Sequence, residues 1–165
     1  MDPTKIPVSQ LLKGSVEKED VNIKLHLDDV GNGVVDAVDG DSIELTGRIK
    51  KFTNSVQFKG RACVEWQGLC SYGNIEVQKS TCIDFDEIFE NDSTWGQTYE
   101  LSGDFIDVEE LIRDNLIPEL PQFPVCESDG KTNRCVKCSE GLNLHKKTNI
   151  KKDVWSELDK LKFEE

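Results

Sequence analysis

The residues best suited to chemistry in this sequence are cysteines in its C-terminal part. Three of them have the spacing Cys126-x8-Cys135-x2-Cys138, and His145 follows after six further residues. A Cys-x2-Cys knuckle presents two thiolates to one tetrahedral metal ion, and a more distant pair of ligands usually completes the site. We therefore predict a structural zinc site with Cys126, Cys135, Cys138 and His145 as its ligands.

The same residues also allow plainer interpretations. A single knuckle without a second one is often a pair of ordinary thiols, and a histidine beside two lysines is often a solvated side chain. A redox role for Cys135 and Cys138 is disfavoured. The motif lacks a preceding strand and a following helix, the setting that lowers the pKa of a redox thiol. The remaining cysteines, Cys63, Cys70 and Cys82, are expected to be small, half-buried side chains of a sheet.

Basic residues surround the cysteine knuckle. The candidate phosphate contacts among them are Lys131, Arg134, Lys137, Lys146 and Lys147. Lysine and arginine side chains hold the phosphates of an RNA strand without reading its sequence. The segment is therefore a candidate RNA contact, with a solubilising tail as the alternative interpretation.

The overall charge of the chain is strongly negative. It has 165 residues and a formal net charge of −12, and residues 83–129 carry 14 acidic side chains and 1 basic one. Such a segment repels naked RNA and complements a basic protein. The predicted protein-binding carboxylates are Asp104, Asp107, Glu109 and Glu110.

Catalysis is disfavoured by what the sequence offers. The chain has 2 histidines, and it lacks the glycine patterns of a serine nucleophile elbow or a phosphate loop. The acidic run at Asp84, Asp86 and Glu87 fits a solvated face better than a metal triad. We therefore predict that the protein is not an enzyme.

The first part of the chain has the pattern of an antiparallel sheet. Apolar and polar residues alternate over Val21–Leu27, Ile43–Lys50 and Val56–Trp66, with turn residues between the last two runs. Shorter apolar runs around Val77 and Tyr99 extend the pattern. About five antiparallel strands are expected over residues 1–106, in a sheet that curls towards a barrel.

From Asp107 the apolar period changes to that of a helix. Asp107, together with Glu110, is expected to cap the start of this helix, and Pro118 is expected to end it. A stiff proline-rich connector then leads to the cysteines, and Asp153–Lys162 has the pattern of a second helix. The predicted class is α+β, with residues 107–165 holding a short helix, the connector, the knuckle and a C-terminal helix, in one overall unit with the sheet.

The sequence contains neither a long apolar run nor a signal-peptide pattern at its start. No stretch approaches the roughly 18 apolar residues that a membrane span needs. We expect no membrane association and a cytoplasmic location, with an organelle stroma or matrix as the alternative if a transit peptide was removed. A reducing compartment also agrees with the knuckle spacing.

Both parts of the chain contain short motifs that are typical of a known family. The C-terminal motifs are Leu116-Ile117-Pro118, Pro124-Val125-Cys126, Cys135-Val136-Lys137-Cys138 and Gly141-Leu142-Asn143. The N-terminal motifs are Ile6-Pro7-Val8, Leu45-Thr46-Gly47 and Phe58-Lys59-Gly60. Together they resemble the YceD family, the large ribosomal RNA subunit accumulation proteins. The resemblance extends over nearly the whole chain and is specific in its C-terminal part.

Two departures from the family pattern concern the cysteines. Many members carry another cysteine shortly after the first, where this chain has Asp129-Gly130-Lys131, so one ligand is missing or replaced. Members also commonly have a Cys-x2-Cys before the acidic stretch, and here Cys70 stands in that region. Any metal would be structural.

The resemblance implies a non-enzymatic factor in the synthesis, processing or accumulation of large-subunit, 23S-type ribosomal RNA. Combined with the charge distribution, it predicts a ribosomal protein or an assembly factor of the large subunit as the partner. The alternative is a zinc-knuckle module that binds ribosomal RNA through the basic C-terminal segment.

Overall fold

The fold is dominated by one sheet. The computed structural model describes residues 3–93 and 95–126 together with Cys135 and Cys138. The strands are β1 (Lys5–Pro7), β2 (Lys18–Leu25), β3 (Val35–Ala37), β4 (Ile43–Lys51), β5 (Ser55–Leu69), β6 (Glu76–Glu90), β7 (Tyr99–Ser102) and β8 (Phe105–Asp107). The helices are α1 (Ser9–Leu12) and α2 (Glu109–Leu116), and a 3₁₀ turn at Ile117–Glu119 follows α2.

The eight strands form a curled half-barrel. Their order is β1-β8-β7-β6-β5-β4-β2, and β3 pairs with β5 beside β4. All pairings are antiparallel except a short parallel one between β6 and β7. Among the described strands, the first therefore pairs with the last, with Ile6 of β1 opposite Ile106 of β8.

The β5–β6 hairpin is the longest element. Its two strands pair over fifteen residues each, in one unbroken register from Ser55 opposite Glu90 to Leu69 opposite Glu76. Alternate residues of β5, among them Val56, Phe58 and Val64, are buried, because side chains of a strand point to its two faces in turn. The buried face of the hairpin thus forms one continuous side of the hydrophobic core.

Helix α2 packs on the buried face of the β5–β6 hairpin. It packs against β5 and β6, and Val108, Leu111, Ile112 and Leu116 are completely buried. They recur at the three- and four-residue spacing that places side chains on one helix face. The same hydrophobic cluster contains the inward side chains of all the long strands, so α2 and the sheet share one core.

Two glycines allow β4 and β5 to approach closely. Gly47 lies directly opposite Gly60. A Cβ atom on Gly47 would lie 2.5 Å from the carbonyl oxygen of Lys59, and one on Gly60 would collide with the carbonyl oxygen of Thr46. Because these contacts involve backbone atoms, larger residues cannot be accommodated without moving the strands.

The structure confirms the coarse class that the sequence predicts, a curled antiparallel sheet with a short helix. The expected number of five strands is wrong. Three of the eight strands have only three residues each, which is too short for alternation to reveal them. The predicted strand around Tyr99 is in fact the β7–β8 hairpin, and the predicted helix at Asp153–Lys162 lies outside the described residues.

The Gly47–Gly60 contact generates a stability prediction. Gly60→Ala is expected to lower the free energy of unfolding by about 1–3 kcal/mol, because the added methyl group must push β4 away from β5. Urea unfolding followed by circular dichroism measures this loss. Glu44→Ala, which removes an exposed side chain from β4, should leave the midpoint nearly unchanged. Equal midpoints for the two variants would contradict a steric requirement at Gly60.

Candidate metal centre and acidic surface

Four cysteines from distant parts of the chain converge in one cluster. Their sulfur atoms, from Cys70, Cys126, Cys135 and Cys138, all lie within 4.8 Å of one another. The Cys138 sulfur is 3.6 Å from that of Cys70 and 3.7 Å from that of Cys126. Cys70, Cys135 and Cys138 are buried and Cys126 is half-buried. The four residues are called the cysteine cluster below.

The β5–β6 loop positions Cys70. The N–H of Cys70 donates to the carbonyl oxygen of Ile75 at 2.8 Å, and the carbonyl oxygen of Cys70 accepts from Asn74 at 3.1 Å. The N–H of Ser71 donates to the carbonyl oxygen of Pro124 at 2.9 Å, which ties the proline-rich connector to the loop two residues before Cys126. The hairpin loop and the connector therefore bring Cys70 and Cys126 together through backbone hydrogen bonds.

Gly73 leaves the space that the knuckle occupies. A Cβ atom at this position would collide with the sulfur of Cys138 and lie 2.8 Å from its Cβ. On the knuckle side, the N–H of Cys138 donates to the sulfur of Cys135 at 3.3 Å. The loop and the knuckle are thus packed in direct contact around the four sulfurs.

The cluster matches what a tetrahedral metal ion requires. Zinc–sulfur bonds of about 2.3 Å in tetrahedral geometry place the sulfurs roughly 3.8 Å apart, close to the two distances above. Burial opposes ionisation of Cys70, but backbone N–H groups of Tyr72 and Cys126 donate to its sulfur, and the net effect is a lowered pKa. Hydrogen bonding with Cys135 and burial raise the pKa of the Cys126 and Cys138 thiols. Four sulfurs so close together could hold a metal ion in place of their protons.

The structure brings together three of the four predicted metal ligands and supplies another cysteine. Cys126, Cys135 and Cys138 lie in the cluster, and His145 lies outside the described residues. The expectation that Cys70 is an ordinary sheet thiol is wrong, because Cys70 lies in the loop directly after β5, beside the knuckle. Its place where the YceD family has a Cys-x2-Cys was the signal that could have identified it.

Cys63 and Cys82 form a disulfide, in contrast to the thiols that the sequence predicts. The two residues face each other directly in the β5–β6 register, with their Cα atoms 4.0 Å apart. Their sulfurs point to the sheet face opposite the core, and Cys82 is exposed. The pairing follows from the exact register of the hairpin, which alternation alone does not fix.

A second candidate site is acidic and lies where β6, β7 and α2 meet. Two adjoining clefts of about 610 and 380 Å³ share Tyr99, Glu100, Glu110 and Asp114. The carboxylates that line them, called the acidic surface below, are Glu87, Glu100, Asp107, Glu109, Glu110 and Asp114. Arg113 lies in the smaller cleft, and Trp95, 97% exposed, stands at the rim of the larger one.

Hydrogen bonds connect the floor of the larger cleft. The amide of Asn115 donates to the hydroxyl of Tyr99 at 3.2 Å, and this hydroxyl lies 3.4 Å from a carboxylate oxygen of Asp114. Burial, and then the negative charges of Glu87 and Asp114, raise the pKa of Tyr99 to about 12. Burial also raises the pKa of Glu87, and the nearby Asp86 and Asp114 add to this effect. The cleft is therefore short of positive charge.

The four predicted partner-binding carboxylates have different local roles. Asp104 and Glu110 are exposed. Asp107 accepts the N–H of Glu109 at 3.0 Å, and Glu109 forms an ion pair with Arg113 at 2.9 Å. The N-cap position of α2 belongs to Val108 rather than Asp107, so the predicted capping box with Glu110 is wrong and Asp107 caps from the preceding position. Asp104 lies in the β7–β8 turn, beyond the lining of both clefts.

The predicted RNA contacts lie outside the described residues. This applies to Lys131, Arg134, Lys137, Lys146 and Lys147. Beside the cysteine cluster, the structure does describe a cleft of about 590 Å³ whose lining includes Tyr72, Lys79 and Phe123. The side chain of Phe123 is 77% exposed.

These features define a class: a curled-sheet protein in which a hairpin loop completes a four-cysteine knuckle, with an acidic surface at the other end of the hairpin. The family model for large ribosomal RNA subunit accumulation protein YceD matches residues 59–162. This range is more than half of the chain and includes all four clustered cysteines, and the chain belongs to this family. Membership implies a role in the accumulation of the RNA of the large ribosomal subunit.

Two further comparisons, with curated proteins and with solved structures, gave no significant match to the chain. Among the residues that the structure describes, no helix combines the length and the apolar character needed to cross a membrane.

The environment of Tyr99 predicts how stability depends on pH. A tyrosine whose pKa is raised from 10 to about 12 by folding keeps its proton longer in the folded state, so stability falls as the pH rises through this interval. In Tyr72→Phe, which leaves Tyr99 as the remaining tyrosine, ultraviolet absorbance should titrate with a midpoint near 12.

The additional variant Tyr99→Phe isolates this contribution. It should unfold in denaturant with a smaller loss of stability between pH 10 and pH 12 than the parent protein, because its side chain has no proton to lose. A midpoint near 10 for Tyr99 in the folded protein would show that the floor of the cleft is not as described.

Proposed function

We propose that the protein is a non-enzymatic factor in the synthesis, processing or accumulation of large-subunit ribosomal RNA that acts by binding a basic protein. The partner is a ribosomal protein or an assembly factor of the large subunit, and the contact is the acidic surface. The observation that carries this proposal is the concentration of six carboxylates around two adjoining clefts in a member of the YceD family.

Charge complementarity supports a protein partner. Among the described lining residues, Arg113 is the one cation; it lies in the smaller cleft and is already paired with Glu109. The other lining carboxylates form no ion pair within the described part of the chain, so they could attract lysine and arginine side chains of a partner. Opposite potentials speed such an encounter and suppress wrong partners. The phosphates of naked RNA would be repelled by the same surface.

The described surroundings of the acidic surface favour binding over catalysis. Its lining contains carboxylates, amides, hydroxyls and an exposed tryptophan, and no histidine is found there among the described residues. His26 lies after β2, where it contacts the carbonyl oxygen of Gly40 and the carboxylate of Asp28. An exposed tryptophan beside carboxylates is suited to cation–π and ionic contacts with a basic side chain.

We also propose that the cysteine cluster holds a structural zinc ion with Cys70 as the fourth ligand. The sulfur distances, the burial and the N–H donors to the sulfurs support this assignment. The ion would join the hairpin loop to Cys126, Cys135 and Cys138. Its contribution is to fold and position the knuckle, as structural zinc does in other small sites.

The partner proposal is tested by charge reversal at Glu110, an exposed residue of the acidic surface, together with Asp104, an exposed carboxylate that the sequence predicts as a partner contact. Asp104→Lys combined with Glu110→Lys should weaken association with large-subunit precursor particles or with purified basic large-subunit proteins by about tenfold, since close charge pairs contribute a few kcal/mol at an interface. Density-gradient co-sedimentation at moderate salt measures the association. Asp107 and Glu109 are left intact because they stabilise the start of α2.

A matched control makes the same change of charge elsewhere. Glu44→Lys combined with Glu65→Lys alters two exposed residues on the neighbouring strands β4 and β5 and should retain the association. Equal loss in both double variants would indicate a general effect of net charge. Unchanged affinity of the Asp104 and Glu110 variant would contradict the proposed contact.

The alternative function, RNA binding through the basic C-terminal segment, has one supporting observation among the described residues. Phe123 is highly exposed in a cleft that Lys79 also lines, which is the combination of stacking and charge that single-stranded RNA uses. In the same gradients, this function predicts RNA-dependent association that falls steeply with salt and is lost after nuclease treatment.

The zinc proposal predicts a specific pattern of metal content. Protein purified without a metal-affinity tag should contain about one zinc ion per chain, as a four-ligand tetrahedral site requires. Cys70→Ser should lose the metal and melt roughly 5–10 °C lower, the shift that about 2–3 kcal/mol produces in a domain of this size. Elemental analysis and thermal unfolding measure the two effects.

Two control variants separate this site from its alternatives. His145→Ala should retain zinc, because four cysteines already satisfy the ion. Cys63→Ser combined with Cys82→Ser removes two sulfurs far from the cluster and should retain zinc as well. Full zinc content in Cys70→Ser, or its loss in His145→Ala, would overturn the assignment of Cys70 as the fourth ligand.

A further inference from the structure

One long edge of the sheet has no neighbouring strand among the described residues and is called the open edge below. Strand β6 pairs with β5 along its whole length, but on its other side it pairs with β7 only at Phe89 and Glu90. From Glu76 to Ile88, no strand lies beside β6 in the described part of the chain. A strand edge of this length presents a row of free backbone groups, which natural proteins usually cover or interrupt.

The hydrogen bonds of β5 show which backbone groups of β6 face this open edge. The N–H of Glu65 donates to the carbonyl oxygen of Ser42, and the carbonyl oxygen of Glu65 accepts from the N–H of Val38. The backbone groups of Glu65 therefore point away from β6. The backbone N–H and C=O groups of successive residues point to opposite sides of a strand, so the even-numbered residues of β5 form the hydrogen bonds to β6. In the register of this hairpin, their partners on β6 are odd-numbered. The residues of β6 whose backbone N–H and C=O groups point to the open edge are therefore Gln78, Ser80, Cys82, Asp84, Asp86 and Ile88.

Two of the usual protections of a strand edge, proline and a bulge, are missing from β6. The strand contains no proline, and its register with β5 is unbroken, which excludes a bulge. Lys79 is its one lysine, and its ammonium group donates to the carbonyl oxygen of Val125. On the core side of the strand, Ile83 is only half-buried, so part of an apolar side chain remains uncovered at the edge.

The charges along the edge favour a basic occupant. Asp84 pairs with Arg61 and Asp86 with Lys59, and both cations come from β5, on the side away from the open edge. Glu87 forms no ion pair within the described residues and adjoins the larger acidic cleft. A strand added at the edge would bring its own side chains next to these three carboxylates, where lysine or arginine would be stabilised and an acidic residue repelled.

A second copy of this chain fits less well. In an antiparallel pair of two β6 strands centred on Phe85, Asp84 of each copy would lie opposite Asp86 of the other. Like charges on directly opposed strands are destabilising, and each chain already carries a net charge of −12. Basic residues in an extended segment have neither disadvantage.

We propose that the open edge of β6, from Gln78 to Ile88, binds an extended segment rich in lysine or arginine from a protein partner, which adds to the sheet as a further strand. Backbone hydrogen bonds of the even-numbered residues supply the affinity, and the carboxylates of the edge select basic side chains. The inference rests on the proposed function, because it identifies how the basic partner is held beside the acidic surface.

Amide hydrogen exchange followed by NMR on the full chain tests the edge directly. In the free protein, the amides of Ser80 and Asp84 should exchange at least about tenfold faster than those of Thr81 and Ile83, because only the latter bond to β5. The probe is a ten-residue peptide of alternating lysine and valine. At saturation it should slow the exchange of Ser80 and Asp84, whereas a peptide of alternating glutamate and valine should not.

Proline variants remove a donor at the edge without removing a bond to β5. Ser80→Pro should bind the lysine peptide about tenfold more weakly than Ser80→Ala, since it lacks the outward N–H and its ring obstructs the added strand. Asp84→Pro compared with Asp84→Ala repeats the test with the ion pair to Arg61 lost in both variants. Circular dichroism confirms that each variant remains folded.

Three results would overturn the inference. They are slow exchange of Ser80 and Asp84 in the free protein, equal binding of the lysine and glutamate peptides, and equal binding by the proline and alanine variants. Exchange that slows with protein concentration alone would identify a second copy as the occupant. If the lysine peptide fails to bind the edge but Asp104 and Glu110 still govern association with large-subunit proteins, the edge inference fails and the proposed function stands.

Discussion

The unbroken pairing of β5 with β6 is the constraint on which the rest of the structure depends. The turn of this hairpin carries Cys70, its core face supports α2, and its far end accepts β7. From Glu76 to Glu87 the strand rises about 3.4 Å per residue, so the cysteine cluster and the acidic surface lie on the order of 35 Å apart. They are two ends of one semi-rigid element, and a small ligand cannot bridge them. A macromolecular partner can contact both.

Much of the sheet follows from the sequence, and the reason is the period of its apolar residues. In β4 and β5, alternation extends over nine and fifteen residues and fixes which side chains enter the core. The same criterion fails for β1, β3 and β8, where three residues contain too little alternation to stand out. These strands depend on pairing with other parts of the chain: β3 pairs with the long β5, and β8 lies between β1 and β7. Helix α2 could be predicted, but its exact first residue could not, since Asp107 caps from outside the usual position.

The sites were predictable only where they depend on local spacing. The knuckle of Cys135 and Cys138 is a local motif, whereas the approach of Cys70 depends on the length and twist of a hairpin and on the hydrogen bond between Ser71 and Pro124. The pairing of Cys63 with Cys82 likewise needs the exact register of two strands. The negative charge of residues 83–129 was evident in the sequence, but its grouping around Tyr99 requires β6, β7 and α2 to meet in space.

The pairing of β1 with β8 has a consequence for how the chain folds. Lys5–Pro7 can complete the sheet only with Phe105–Asp107, and most of the intervening strands must already be in place to hold β8. Such contacts between residues far apart in sequence make folding slow, because the loop entropy is lost before the contacts form. During synthesis, the N-terminal strand must therefore wait, with Ile6 exposed to water, until about a hundred further residues have been made.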